Sequence, residues 1–152
     1  MRTVLKVWLP FLPPSSNKIY IRHPKGMGKI LSSKARKFKI EAMRVIQQEG
    51  RVGFIRLRKN VPYKLTLVFF FPRVENKTSK VGARYKKFDL TNVIKLAEDT
   101  VSEAVDVDDS HNFRAEQEKH CDPENPGMYI ILSRLSRRKV GLTKEEYDAR
   151  HP

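Results

Sequence analysis

The chain has 152 residues, a length typical of one compact domain with its own hydrophobic core. Thirty-one Lys and Arg residues against 17 Asp and Glu residues give a net charge of +14, which indicates a polyanionic partner. No apolar run is long enough to span a membrane, and the N-terminal residues lack a secretory signal, so we expect a cytoplasmic protein. The single cysteine, Cys121, excludes an internal disulfide framework and a Cys-based zinc finger.

The first half of the chain predicts a strand, a loop and a helix. Apolar residues in 3–8 predict the first strand, with Trp8 in the core. Three prolines in 10–17 exclude a helix and predict a structured loop. A basic, glycine-containing connection at 23–29 then leads to a helix that begins with a cap at Ser32 or Ser33 and ends near Glu49. The core side of this helix is predicted from its helical spacing to be Phe38, Ala42, Val45 and Ile46.

The second half predicts a buried strand at 62–71, a helix at 92–105, and strands at 112–119 and 128–135. A further helical turn is expected at Thr143, with Glu146 completing a capping box. This order predicts an α+β fold, a single small domain whose mixed or antiparallel sheet packs against two main helices. The domain is expected to cover residues 1–135, and 136–152 form a basic C-terminal tail whose order the sequence leaves open.

Charge is unevenly distributed along the chain. Residues 21–60 carry twelve bases and two acids, whereas 96–113 carry no Lys or Arg. The acids of this second segment, which we call the acidic cluster, are Glu98, Asp99, Glu103, Asp106, Asp108 and Asp109. These acids either solvate a helix and neutralise nearby bases, or they approach phosphates through an intervening cation. Charge alone does not decide between the two interpretations.

The residues with the strongest chemical signal surround the start of the second helix. Asp89 and Thr91 should face the same way in an extended segment, and Asn92 and Lys95 occupy the first helical turns. Asp108 and Asp109 follow the helix and must be brought back beside its start to join Asp89. Such a set of carboxylates beside a lysine suits Mg²⁺-dependent hydrolysis of a phosphodiester.

Three motifs in order, residues 13–22, the D-x-x-N-x-x-K run from Asp89 to Lys95, and residues 107–110, make the chain similar to the RusA family of Holliday junction resolvases. The resemblance implies an α+β homodimer, frequent in phages and prophages, that acts in DNA recombination and repair. It implies a structure-selective endodeoxyribonuclease that binds four-way junctions and nicks two opposed strands with Mg²⁺ or Mn²⁺. The family's metal-binding aspartates match Asp89 and Asp109, with Asp108 adjacent, its essential lysine matches Lys95, and Asn92 matches a recurrent asparagine.

The chain departs from the family's D-x-D-N motif because Thr91 replaces the second aspartate. We favour Thr91 as a helix cap, and the alternative makes it a weak metal ligand. Glu98 and Asp99 cannot compensate, because seven or eight helical residues separate them from Thr91 by ~10–12 Å.

Eight basic residues are expected to contact DNA phosphates, and a turn at Gly26–Gly28 is expected to present the lysines beside it to the DNA backbone. The eight are Arg22, Lys25, Lys29, Lys34, Lys37, Arg84, Lys86 and Lys87. His111, His120 and Cys121 do not have the spacing of a four-ligand zinc site. Two alternatives to a nuclease remain: a junction-binding protein whose metal site has eroded at Thr91, and a basic RNA-binding protein.

Overall fold

The computed structural model describes residues 2–49, 61–75, 91–107, 112–136 and 143–150. The strands are β1 (Arg2–Leu9), β2 (Tyr20–Arg22), β3 (Lys29–Leu31), β4 (Tyr63–Phe71), β5 (Asn112–Cys121) and β6 (Gly127–Arg134). The helices are α1 (Ser33–Glu49), α2 (Thr91–Val105) and α3 (Lys144–Arg150), and a 3-10 turn at Ser16–Lys18 precedes β2. The bounds of the predicted strands and of the two main helices are confirmed to within two residues.

The main sheet is mixed, with the strand order β1-β6-β4-β5. β6 pairs antiparallel with both β1 and β4, whereas β5 pairs parallel with β4. A parallel pair needs a crossover connection, and α2 lies in the chain between β4 and β5. The predicted α+β class with a mixed sheet is therefore confirmed, and β2 and β3 form a separate hairpin.

The hydrophobic core lies between one face of the main sheet and the helices α1 and α2. Alternate residues of β1, β4 and β6 are buried, as period-2 side-chain alternation requires. The core stripe of α1 is confirmed, with Phe38, Ala42, Val45 and Ile46 all buried. The buried face of α2 consists of Val93, Leu96, Ala97, Thr100, Val101, Ala104 and Val105. None of the described helices is long and apolar enough to cross a membrane.

Ser32 fixes the start of α1 and joins it to the hairpin. Its hydroxyl accepts a hydrogen bond from the backbone N–H of Ala35 at 3.2 Å, which is the geometry of an N-cap. The same hydroxyl donates to the backbone carbonyl of Lys18 at 2.5 Å, and the N–H of Ser32 donates to the carbonyl of Ile19 at 2.7 Å. Ser32, which is buried, is therefore the cap that the sequence left open between two serines.

Capping motifs mark the end of α2 and the start of α3. Asp106 has a positive φ of 54°, and the N–H of Val107 donates to the carbonyl of Ser102 at 3.0 Å. This 6→1 bond is typical of a Schellman motif, which ends α2 at once. At α3, the N–H of Thr143 donates to Glu146 and the N–H of Glu146 donates to the hydroxyl of Thr143, so the predicted capping box is confirmed.

The opposite face of the sheet carries a cluster of aromatic rings. Trp8 packs against Tyr129 and Phe70, with ring centroids 4.8 and 5.8 Å away. These rings line an open cavity of about 350 Å³ together with Asp122 and Asn125. The expectation that Trp8 belongs to the core is wrong, because Leu5, Val7 and Leu9 take the core side of β1 and Trp8, at the alternate position, is only half-buried.

Candidate functional site

The start of α2 presents Asn92 and Lys95 on neighbouring positions of one helix surface. The helix begins at Thr91, and residues three apart on a helix lie ~5–6 Å from each other at their Cβ atoms. Asn92 is half-buried and Lys95 is exposed, while Val93, Leu96 and Ala97 turn into the core. The side chain of Thr91 lies outside the described residues, so its role as a cap or as a weak ligand stays a prediction.

Lys95 forms no ion pair with any residue that the structure describes. An exposed ammonium that has no carboxylate partner is available to an incoming anion. Its position one turn into α2 follows from the buried stripe, because the sequence spacing that buries Val93 and Leu96 turns residue 95 outward. Among the described residues, no carboxylate competes for Lys95, so the predicted phosphate contact stays a prediction that this exposure allows.

The predicted carboxylates Asp89, Asp108 and Asp109 lie outside the described residues. By sequence, Asp89 precedes α2 by two residues, whereas Asp108 and Asp109 follow its last residue, Val105, within four. The fifteen residues of α2 span ~21 Å at 1.5 Å per residue. Within one chain, the two groups can meet only if the segments at the two ends of the helix run back along it. Lys95 belongs to the Asp89 end.

Other members of the acidic cluster lie along α2 itself. Glu103 forms an ion pair with Lys39 of α1 at 2.5 Å, so this acid neutralises a neighbouring base. Asp99 is half-buried two turns beyond Thr91. The residues that the structure describes contain no group of three or more His, Cys, Asp or Glu side chains placed to hold a metal ion. A metal centre with three or more such side chains would therefore include residues outside the described ranges.

The histidine and cysteine near the end of β5 have other contacts. The ring of His120 stacks on Phe70 at a centroid distance of 5.2 Å, and its Nε2 lies 3.0 Å from Glu118. The exposed thiol of Cys121 faces the carbonyl of Pro72 at 3.9 Å. His111 lies outside the described residues.

Five of the predicted DNA-binding residues are exposed around one region, the β2–β3 hairpin and the first turns of α1. They are Arg22, Lys25, Lys29, Lys34 and Lys37. Only Lys37 has an ion-pair partner within the described part of the chain, Glu41, at 3.9 Å on an open helix surface. The 3-10 turn before β2 contacts α2, so the base of this basic surface adjoins the helix that carries Lys95. The other three, Arg84, Lys86 and Lys87, lie outside the described residues.

Sequence reasoning about the hairpin considered its lysines and missed the residue at its tip. Met27, between Gly26 and Gly28, is 74% exposed. A methionine flanked by two glycines and two lysines was the available signal, because this spacing makes a tight turn that leaves the middle side chain without neighbours.

One ionisable group away from this region has a perturbed acidity. Glu116 of β5 pairs with Lys64 of β4 across the open face of the sheet. The hydrogen bond from Lys64 lowers the pKa of Glu116, although burial of the carboxyl opposes the effect. The pair stabilises the parallel β4–β5 contact and lies on the sheet face opposite to α2.

Comparison with known families gives one match. The family model described as Endodeoxyribonuclease RusA matches residues 10–133 of the 152-residue chain. The match begins after β1 and includes α1, β4, α2, β5 and most of β6. It covers both the run from Asp89 to Lys95 and the pair Asp108–Asp109. A search of curated proteins found no match to this chain.

Proposed function

This chain belongs to the RusA endodeoxyribonuclease family, which resolves Holliday junctions, and we propose that it is a metal-dependent, structure-selective nuclease that makes paired nicks in four-way DNA junctions. The observation that carries the proposal is the family match over residues 10–133, since it contains every residue of the proposed catalytic set. A nuclease of this kind would act on recombination intermediates in the cytoplasm of a bacterium or of a phage-infected cell.

The proposed catalytic set contains the ligands that a hard divalent cation prefers. Asp89, Asp108 and Asp109 supply carboxylate oxygens, which suit Mg²⁺ or Mn²⁺, and Thr91 offers at most a weaker hydroxyl ligand. When bound, the cation would supply the positive charge that phosphodiester hydrolysis requires. With Thr91 in place of a carboxylate, the site has one negative charge fewer, so we expect weaker metal affinity than an Asp at that position would give.

Lys95 and Asn92 contribute to the reaction from the first turns of α2. The exposed ammonium of Lys95 would contact a non-bridging oxygen of the scissile phosphate and stabilise the charge that grows there during attack by water. The amide of Asn92, on the adjacent helix position, would hold the phosphate or a neighbouring carboxylate in place. Both groups lie on a helix whose opposite face is packed in the core, which would fix the backbone positions from which they reach the substrate.

The basic surface supports a polyanionic substrate. Arg22, Lys25, Lys29 and Lys34, none of which forms an ion pair within the described ranges, lie on the hairpin and the start of α1, beside α2. Arg84, Lys86 and Lys87 extend the proposed contact by sequence. Paired nicking also requires two catalytic sites, and a homodimer would supply them with the two-fold symmetry that relates the opposed strands of a junction.

A second candidate function follows from Thr91. If the loss of this carboxylate abolishes metal binding, the protein would bind junctions without cutting them. Incubation of labelled four-way junction and matched linear duplex with Mg²⁺ or Mn²⁺ separates the two candidates, because only a nuclease yields symmetric nicks on a denaturing gel. Binding without nicks, together with nicking by a Thr91→Asp variant, would support the non-cleaving candidate and contradict the nuclease.

A further inference from the structure

The β2–β3 hairpin presents an apolar side chain on a turn whose backbone is hydrogen-bonded. Gly26 and Gly28 have φ angles of 73° and 83°, a conformation that suits glycine. The N–H of His23 donates to the carbonyl of Gly28 and the N–H of Gly26 donates to the carbonyl of His23, both at 2.9 Å. The N–H of Lys25 donates to Nδ1 of the same histidine at 3.1 Å. Met27 is therefore presented by an ordered turn, at 74% exposure.

The charges below this tip are arranged unfavourably for the isolated protein. Arg22 and Lys29 lie directly opposite each other across the two strands, and like charges at such positions destabilise a strand pair. Neither residue, nor Lys25, forms an ion pair with any residue that the structure describes. Repulsion of this kind is relieved by a bound polyanion, so the hairpin has charge complementarity to phosphates on both sides of its tip.

A methionine among phosphate-binding residues can insert between bases, which a charged lysine side chain does not do. Apolar side chains that include Met are used by DNA-bending proteins as wedges, which enter a base step and partly unstack it. Unstacking an intact duplex step costs free energy, whereas stacking is already interrupted where four helices meet. An apolar tip surrounded by cations thus fits a branch point better than a continuous duplex. A single exposed Met buries too little surface to hold the protein on a membrane.

We propose that the hairpin inserts Met27 between bases at the branch point of a DNA junction while Arg22, Lys25 and Lys29 hold the flanking phosphates. This inference rests on the proposed function and adds a basis for its structure selectivity. The tip recognises interrupted stacking, a property of shape, and the three cations recognise backbone charge, so no base sequence is read at this contact.

The test uses a four-way junction with 2-aminopurine, a base whose fluorescence rises on unstacking, beside the branch point, in a buffer without divalent metal. The full-length protein should raise the fluorescence and prefer the junction to linear duplex. Met27→Ala should lose most of the fluorescence change and about tenfold of that preference, since the shortened side chain no longer reaches between the bases. Met27→Leu should retain both. Ile40→Ala removes another exposed apolar residue, 69% exposed on α1, and should change neither.

The outcomes separate this inference from the function on which it rests. A wild-type protein that nicks junctions without a fluorescence change, or a Met27→Ala variant that matches Ile40→Ala, overturns the wedge and leaves the nuclease standing. A wild-type protein without any junction preference overturns the proposed function and the wedge together. Met27-dependent binding to vesicles of anionic phospholipid, with unaltered junction binding, assigns the tip to a membrane surface and also overturns the wedge.

Discussion

The ammonium of Lys39 in α1 lies 2.5 Å from the carboxylate of Glu103 in α2 and joins the two helices that cover the sheet. The lysine side chain is 24% exposed and the glutamate 56%, so water screens the pair in part. One member of the acidic cluster therefore has a structural role. Glu103 is thus used between the helices, whereas Asp108 and Asp109, which follow α2 in the sequence, keep their predicted role as metal ligands.

Replacing this glutamate should affect stability and not cleavage. Glu103→Gln is expected to lower the free energy of unfolding by about 0.5 kcal/mol, the value of a half-exposed ion pair. Urea denaturation measures this change, and the junction-nicking rate should match the wild type. Loss of nicking in a variant of normal stability would move Glu103 into the catalytic set.

The carboxylates at the ends of α2 should behave in the opposite way. Asp89→Asn and Asp109→Asn are each expected to abolish nicking, because the amide removes a charged metal ligand, while junction affinity persists or rises as phosphate repulsion falls. Gel shift and nicking assays on the same junction measure both. Glu124→Gln, at an exposed turn between β5 and β6, is the control for loss of one carboxylate. Normal nicking by both aspartate variants would show that Asp89 and Asp109 are not catalytic metal ligands.

Lys95 should matter for the rate and much less for binding. Lys95→Ala is expected to lower the single-turnover nicking rate ~10²-fold or more, the effect of losing one charge-stabilising donor, and to weaken junction affinity less than threefold. Lys144→Ala, an exposed lysine of α3, should leave both values unchanged. Equal losses in rate and affinity would reduce Lys95 to a phosphate anchor.

Gly127 should not tolerate a methyl group. A Cβ at this position would lie 2.4 Å from the carbonyl oxygen of Leu9 and 2.5 Å from Cζ2 of Trp8. Gly127→Ala is expected to lower the free energy of unfolding by about 2 kcal/mol, because the backbone carbonyl cannot move away without disturbing β1. Thermal and urea unfolding measure it, with Gln117→Ala on exposed β5 as control. An unchanged midpoint would mean that β1 shifts without cost.

The Lys64–Glu116 pair makes the free energy of unfolding depend on pH in the acidic range. Since the pKa of Glu116 is lower in the folded protein than its ordinary value of 4.5, its contribution is complete above that value and is lost as the pH falls through the lowered pKa. Glu116→Gln should be less stable near neutral pH and should lose less further stability between pH 5 and pH 3. Urea midpoints across this range, with Glu124→Gln as control, give the comparison. Parallel pH profiles for Glu116→Gln and wild type would contradict the prediction.

Much of the fold could be predicted because its signals are local. The Ser32 cap, the apolar spacing of α1 and the Thr143–Glu146 capping box each depend on residues within one or two helical turns. The parallel pairing of β4 with β5 depends on contacts about fifty residues apart, and no local pattern encodes it. The prediction that Trp8 lies in the core was wrong for a related reason. Only the register of β1 with β6 decides which face of β1 points to the helices.

For the candidate site, the exposure of its basic residues could be predicted from the sequence, whereas the contacts around α2 could not. The sequence named Lys95 and the hairpin cations, and all of them are exposed as expected. It could not show that Glu103 pairs with Lys39, because that contact depends on how the two helices pack against each other. Met27 was predicted only as part of a turn, because its high exposure can be recognised only when the positions of the surrounding residues are known.

The double hydrogen bonding of Ser32 has a mechanical consequence. Its one hydroxyl bonds both to Lys18, in the 3-10 turn that precedes the hairpin, and to Ala35, in the first turn of α1, so the base of the hairpin is tied directly to this helix. A displacement of the hairpin by a bound strand would therefore be shared with α1, which packs directly against α2, the helix that carries Lys95.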